Sequence, residues 1–310
     1  MSSPPVNGPR VAVVGAGAVG GYFGGLLARA GASVVMIGRP SFVAAVQAHG
    51  LRLNTLHFQE VVRVEAATDM SAARGADLVL FCVKTTDTTA TALALAPFVE
   101  ARTPVISLQN GVDNVARIRA VTKMEALPAV VYIAASVPTP GEVRHVGRGD
   151  IVLGPGNEAT TRLADLFIRA GVPCRISPNI EGEQWTKFMS NCAMNAISAL
   201  GQATYGRIAE SADARRLVEA AIDEILAVAQ ASGVVLPGME DAAKARAGVF
   251  KLATQIAGAL SSTAQDLNRG KPTEIDALNG FIARRGRELG VPTPVNDALG
   301  ILVKLAEGKP

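Results

Sequence analysis

The clearest chemistry in this chain lies between Trp185 and Asn195, in the run Trp-Thr-Lys-Phe-Met-Ser-Asn-Cys-Ala-Met-Asn. Lys187, Asn191 and Asn195 recur at every fourth position there, so on a helix one cation and two carboxamides share a single stripe. Lysine's reference pKa of about 10.4 keeps it protonated at neutral pH, so an ammonium group so placed can neutralise charge developing on an oxygen and then donate a proton to it. The carboxamides supply donors and acceptors that orient a polar ligand. Phe188, Met189, Cys192, Ala193, Met194, Ala196 and Ile197 flank the stripe and are apolar enough to bury the helix, and strong hydrogen-bonding groups are costly to bury without partners. A bound polar substrate would supply those partners. The competing reading, a solvated face of an ordinary helix, is the commoner one for such a stripe taken alone.

The elements that must position this chemistry begin at the other end of the chain. Arg10 to Val14 is a valine-rich run of the length of a buried parallel strand, and Gly15-Ala16-Gly17-Ala18-Val19-Gly20 follows at once. Tyr22 to Ala30 can form a helix that Gly31 closes, and Val34 to Ile37 is a second buried strand. A strand, G-x-G-x-x-G, helix and strand in about thirty residues is the context in which the glycines admit a pyrophosphate to a helix N-terminus, the signature of a dinucleotide site. The second strand ends Ile37-Gly38-Arg39-Pro40, and no Asp or Glu occurs before Glu60. An NAD site usually places a carboxylate there for the ribose hydroxyls, whereas Arg39 suits the extra phosphate of NADP(H), so NADP(H) is expected. Ala76 to Val83 and Pro104 to Leu108 are further buried strands, and their ends bring Lys84 and Asn110 to the side of a parallel sheet where ligands bind. Lys84 could hold a phosphate or a ribose; Asn110, before a turn-making glycine, could reach a nicotinamide or a substrate, or simply make the turn.

Leu51 to Val64 reads as a short hairpin or an irregular excursion. Ala126 to Ala135 and Glu142 to Leu153, either side of Pro138-Thr139-Pro140-Gly141, read as an antiparallel extension of the sheet, and Glu158 to Arg169 as an amphipathic helix. Beyond Pro178 the pattern is almost wholly helical, with periodic stretches at Ser211 to Ser232, Asp241 to Ala259 and Ile275 to Leu289. The expected fold is therefore α/β: a Rossmann-type doubly wound sheet over residues 1–178, followed by an all-α domain over 179–310. Hydroxyls at Ser261-Ser262-Thr263 and the carboxylate of Glu274 beyond a Gly270 to Pro272 break could line a polar pocket, or could cap helices.

The chain has 310 residues and a formal charge of +3, with no basic run marking a nucleic-acid surface, so its positive balance fits an anionic small molecule. Cys82, Cys174 and Cys192 lack metal-ligand spacing and read as reduced core thiols; no metal site is expected. No apolar stretch is long enough for a membrane span, and residues 1–9 lack a signal-peptide pattern, so a cytoplasmic protein is expected.

Five blocks together resemble the ketopantoate reductase family: Gly15 to Gly20, Cys82-Val83-Lys84-Thr85, Gln109-Asn110-Gly111, Trp185-Thr186-Lys187-Phe188 with Asn191 and Asn195, and Ser261-Ser262 through Glu274-Ile275-Asp276. The resemblance implies a Rossmann domain before an all-α domain and reduction of 2-dehydropantoate by NADPH to (R)-pantoate, on the route to pantothenate. It further implies Lys187 as general acid, with Asn191, Asn195 and Ser262 on the substrate and Asn110 on both substrate and cofactor. Arg39 and Lys84 would serve the adenosine phosphate end of NADPH, Glu274 would face the cofactor and the reacting region, and Ala135 would offer a backbone contact. It leaves room for a homodimer. One position departs from the pattern: ten residues beyond Asn195, where the best-known members carry another substrate-binding asparagine, this chain has Tyr205. Its phenol either replaces that hydrogen bond or closes the pocket, which leaves another small 2-oxo acid as the nearest rival substrate. A 3-hydroxy acid dehydrogenase of the 6-phosphogluconate type shares the lysine and asparagine four apart but not the Ser262 to Glu274 block. A non-catalytic NADP(H) sensor has no use for the lysine stripe.

Overall fold

A computed structural model describes residues 8–308. Residues 1–7, most of the leader read above, lie outside them, as do 309–310. The chain divides into two compact units, residues 1–180 and 181–310.

The first unit is built on ten strands: β1 (Arg10–Val14), β2 (Ser33–Ile37), β3 (Leu51–Asn54), β4 (Gln59–Val62), β5 (Glu65–Ala67), β6 (Leu78–Phe81), β7 (Pro104–Ser107), β8 (Glu125–Ser136), β9 (Glu142–Leu153) and β10 (Cys174–Ile176). Five helices connect them: α1 (Ala18–Arg29), α2 (Pro40–His49), α3 (Thr88–Leu95), α4 (Asn114–Val121) and α5 (Glu158–Arg169). The sheet order is β4-β3-β9-β8-β7-β6-β1-β2-β5, with β10 beside β9. From β5 to β8 all neighbours are parallel; β8 and β9 are antiparallel, as their turn suggested, and the Leu51 to Val64 stretch does form a hairpin, β3 with β4. The order turns back at β1, which has β2 on one side and β6 on the other, and that reversal opens a crevice beyond the strand ends.

Alternation along β1 shows how the layers form. Val11 and Val13 pack on one face with Phe23 and Leu27 of α1 and Phe167 of α5, whereas Ala12 and Val14 pack on the other with Leu95 of α3 and Ile118 of α4. Both faces are covered, as a parallel sheet requires, and each fully buried large side chain contributes about 1.5–3 kcal/mol. Helix α1 starts at Ala18, four residues before the expected Tyr22, so the glycine motif itself forms its first turn. Glycine does not break the helix because it serves packing: a Cβ on Gly24 would come within 2.6 Å of the Val13 side chain.

The second unit is helical: α6 (Ile180–Gly201), α7 (Tyr205–Glu210), α8 (Ala212–Ala231), α9 (Ala242–Gln255), α10 (Ser262–Asn268), α11 (Asn279–Leu289) and α12 (Pro294–Glu307). Two expected helices are corrected. Ile275 to Leu289 is broken: a 3-10 turn covers Ile275–Ala277, and Leu278, with ψ −103°, redirects the chain into α11. The break carries Asn279 into the interior, where its Nδ2 donates to the Cys192 carbonyl and to Asn296 Oδ1, both at 2.9 Å. Helix α9 stops at Gln255 and not at Ala259, because the Ala257 and Ala259 carbonyls turn to accept the Gly206 and Tyr205 N–H groups at 2.9 and 3.0 Å. Glu224 of α8 accepts from the Val295 and Asn296 N–H groups at 2.8 and 2.9 Å, satisfying the first turn of α12 where a negative charge is favoured. No helix among the described residues is long and apolar enough to cross a membrane.

All three cysteines are free, with Cys192 buried and Cys82 and Cys174 half-buried. Burial raises each thiol pKa, that of Cys174 to about 11 with help from the Asp165 carboxylate, so all three stay protonated at neutral pH.

Candidate active site

In the first unit the glycine loop is pinned to its neighbours by its own backbone. Gly15 N and Ala16 N both donate to the Ile37 carbonyl, at 3.0 and 3.3 Å, tying the loop to the end of β2. Gly15 has φ +97°, and a Cβ there would lie 2.7 Å from the Cys82 carbonyl carbon and the Val83 nitrogen, so both conformation and space require glycine. Gly20 sits under the loop, where a Cβ would meet the Gly15 carbonyl oxygen at 2.4 Å. Gly17 is different. A Cβ on it would meet no protein atom within 4 Å, so nothing in the protein itself demands glycine at that position. A group lying against the backbone at the start of α1 would, and the first turn there, opened by Ala18 and Val19, has no acidic residue and no capping side chain. The loop therefore fits a dinucleotide pyrophosphate.

Arg39 is exposed just past β2, at the N-cap of α2, whose first turn also lacks an acidic residue. Gly38 beside it packs on the glycine loop, a Cβ there falling 3.0 Å from Ala16 Cβ. Lys84 and Asn110, both half-buried, follow β6 and β7. Their two loops are joined by a buried network. Thr85 Oγ1 and Asn114 Nδ2 donate to the Asn110 carbonyl at 3.1 and 2.7 Å, and Thr88 Oγ1 donates to Asn114 Oδ1 at 2.8 Å. Gln109 Nε2 donates to Thr88 Oγ1 and to the Val83 carbonyl at 2.7 and 3.1 Å, while Ser107 Oγ donates to Gln109 Oε1 at 2.9 Å. All five side chains are buried. The structure thus brings the glycine loop, Arg39, Lys84 and Asn110 to the same strand ends. Ala135 lies elsewhere along the sheet, half-buried on β8 and opposite His145 just past a register shift.

In the second unit, α6 is one uninterrupted helix, so Lys187, Asn191 and Asn195 occupy successive turns of one face. Lys187 and Asn191 are half-buried and Asn195 is 3% exposed, which departs from a solvated face. One flank of the helix is anchored by a triad of rings, Trp185, Phe188 and Phe281 of α11, with centroids 5.6 to 5.9 Å apart in edge-to-face contact. Tyr205 donates its hydroxyl to Asn195 Oδ1 at 2.8 Å, and burial holds the phenol pKa well above its ordinary value, so it stays a neutral donor. This bond turns the amide oxygen of Asn195 toward Tyr205 and its nitrogen the other way.

Of the two adjacent serines, Ser262 is exposed at the start of α10. Ser261 is the buried one: its Oγ caps α10 by accepting from Ala264 N at 3.0 Å and donates to the Asn195 carbonyl at 3.0 Å. It supports the stripe directly, in the capping role that was one of the two readings of these hydroxyls. Glu274 is half-buried at the N-cap of the 3-10 turn before α11. Beside the stripe lies a cavity of about 50 Å³, lined by Asn191, Tyr205 and the apolar Met194, Val249, Leu252 and Ile256.

Comparison with known proteins agrees with this division. The family model described as ketopantoate reductase PanE/ApbA matches residues 11–158, and its C-terminal counterpart matches 179–307. A 2-dehydropantoate 2-reductase of Mesorhizobium japonicum is 31% identical, over 95% of this chain and 97% of its own. The crystal structure of a PanE/ApbA family ketopantoate reductase from Ralstonia eutropha superposes with a TM-score of 0.92 at 48% identity, covering 96% of this chain and 98% of that one. A ternary structure of D-mandelate dehydrogenase with NADH and anilino(oxo)acetate superposes with a TM-score of 0.88 at 27% identity, covering 96% and 98%. Matched along both units, the chain belongs to the ketopantoate reductase family, a family of oxidoreductases.

Proposed function

We propose that this protein reduces 2-dehydropantoate to (R)-pantoate with NADPH, in the cytoplasm, in the biosynthesis of pantothenate. The observation that carries the reading is the α6 stripe, a lysine and two carboxamides on successive turns of a largely buried helix, with Asn195 held in one orientation by Tyr205. Bound NADPH supplies a hydride to the carbonyl carbon of the 2-oxo acid. The remaining work falls to side chains of the protein. Lys187 stabilises the negative charge that develops on the carbonyl oxygen and protonates it, which concentrates its effect in the transition state. Asn191, Asn195 and Ser262 bind the substrate, and Asn110 contacts both substrate and cofactor. Glu274 faces the reacting region, and Ala135 offers a backbone group to the cofactor.

Arg39 and Lys84 bind the adenosine phosphate end. NADPH is favoured over NADH because β2 ends in Gly38-Arg39-Pro40 with no carboxylate: an acidic residue there would repel the 2′-phosphate, and a guanidinium meets it with a planar fork. A second reading, the same reduction on another small 2-oxo acid, is favoured by Tyr205 and by the apolar walls of the neighbouring cavity. NADPH consumption with 2-dehydropantoate and a panel of 2-oxo acids, followed by product identification, decides between them. A preference of about tenfold or more in kcat/KM for another acid moves the assignment to that acid. NADPH binding with no turnover of any 2-oxo acid makes the protein a sensor and not a reductase.

A further inference from the structure

We infer that Tyr205 sets the size of the substrate's side chain, so that the site accepts a 2-oxo acid bearing a compact branched aliphatic group and rejects one bearing an aryl group. The inference rests on the 2-oxo acid reduction proposed above and adds the class of side chain. Asn191 belongs both to the stripe and to the wall of the cavity, one helical turn from Lys187. A turn is about 5.4 Å, so a carbonyl beside Lys187 leaves the adjoining side chain within reach of that cavity. Met194, Val249, Leu252, Ala253 and Ile256 give the cavity apolar walls that suit alkyl groups, while Ser190, Asn191 and Tyr205 add polar atoms to it.

The volume sets the limit. At about 50 Å³ the cavity holds a few carbon atoms, whereas an engineered cavity that binds benzene measures about 150 Å³. The Tyr205 ring forms one of its walls, and the residue is held at both ends. Its hydroxyl donates to Asn195 at 2.8 Å, its own N–H donates to the Ala259 carbonyl at 3.0 Å, and Gly206 N donates to the Ala257 carbonyl at 2.9 Å. The phenol therefore walls one side of the cavity and fixes Asn195 at once.

The test compares kcat/KM for 2-dehydropantoate, 3-methyl-2-oxobutanoate and phenylglyoxylate in the wild type, Tyr205→Phe, Tyr205→Ala and Ile256→Ala. The wild type is expected to favour the two branched acids over phenylglyoxylate by about a hundredfold. Tyr205→Ala removes the ring and should shrink that ratio by about tenfold or more, because phenylglyoxylate gains room while the branched acids only lose the orientation of Asn195. Tyr205→Phe keeps the ring, so the ratio should hold while KM rises for every substrate, because Asn195 loses its holder. Ile256→Ala widens the cavity from its partly exposed wall and should shrink the ratio in the same direction, which keeps the test open if Tyr205→Ala does not fold. Wild-type ratios in both alanine variants, or a wild type that reduces phenylglyoxylate as well as the branched acids, overturn the size limit while leaving 2-oxo acid reduction standing. A wild type that turns over none of the three overturns the reduction itself, and the limit with it.

Discussion

The two units hold their polar groups in opposite ways. Near Lys84 and Asn110, five buried side chains bond to one another and to backbone carbonyls, and what they fix is the course of two loops. On α6 the polar groups stand on a rigid helix, and the support comes from behind and beside them: a ring triad, Ser261 on a helix carbonyl, Tyr205 on an amide. The first arrangement suits a ligand recognised by backbone and charge over a long contour. The second suits one reacting group that must be met within a few tenths of an ångström.

The contrast breaks most sharply at Lys187. Lys187→Ala should lower turnover by roughly a hundred- to ten-thousand-fold while leaving the dissociation constant for NADPH nearly unchanged, read by steady-state kinetics and by fluorescence titration of NADPH. Turnover close to wild type would remove the lysine from the reaction. In the first unit the matching experiment separates two glycines. Gly15→Ala must place a methyl group 2.7 Å from backbone atoms at φ +97°, and should yield little soluble protein. Gly17→Ala meets open space, and should melt with the wild type yet bind NADPH about tenfold or more weakly, as overpacking against a ligand costs about 1–3 kcal/mol. Equal loss of stability in both would mean that Gly17 answers to the fold and not to a ligand.

What could be read in advance follows from how local the signal is. The strands around the glycine loop announce themselves by valine-rich runs, and the loop by spacing, because both depend on neighbours within a few residues. The stripe on α6 was legible for the same reason, since every fourth residue of a helix shares a face. The bond from Tyr205 to Asn195 was not: it crosses the turn between α6 and α7, and Tyr205 reads in the sequence as replacing a substrate contact or closing the pocket, not as a partner of Asn195. The network of Thr85, Thr88 and Asn114 was not legible, because nothing in their spacing reveals that positions 25 residues apart share one buried cluster. Helicity over Ile275 to Leu289 looked continuous because periodicity records faces and not the single residue, Leu278, that redirects the chain.

Arg39 tests the charge side of the comparison. Arg39→Ala should weaken NADPH by about ten- to a hundredfold, the range of one charge-assisted contact, and leave NADH within about twofold. Parallel titrations with the two cofactors at physiological salt read this. Equal weakening of both would place the arginine on a group that they share, and comparable wild-type affinity for both would remove the NADPH assignment.

The smallest effect is the most informative about the two styles of support. Asn114→Ala and Asn279→Ala each delete a buried carboxamide that donates to a backbone carbonyl, and each should cost about 1–3 kcal/mol of stability by leaving partners unpaired. Asn279 has the milder expectation, because its Oδ1 is already buried without a partner among the described residues. Their functional consequences should differ. Asn114 holds the carbonyl of Asn110 itself, so its loss should raise KM for NADPH and for the 2-oxo acid in a protein that is still folded at assay temperature. Asn279 grips α6 at the Cys192 carbonyl, outside the stripe, and the helix keeps its other supports, so its loss should lower the melting temperature and leave KM where it was. If both variants move KM alike, the helix is no stiffer a platform than the loops, and the distinction between the two units fails at its foundation.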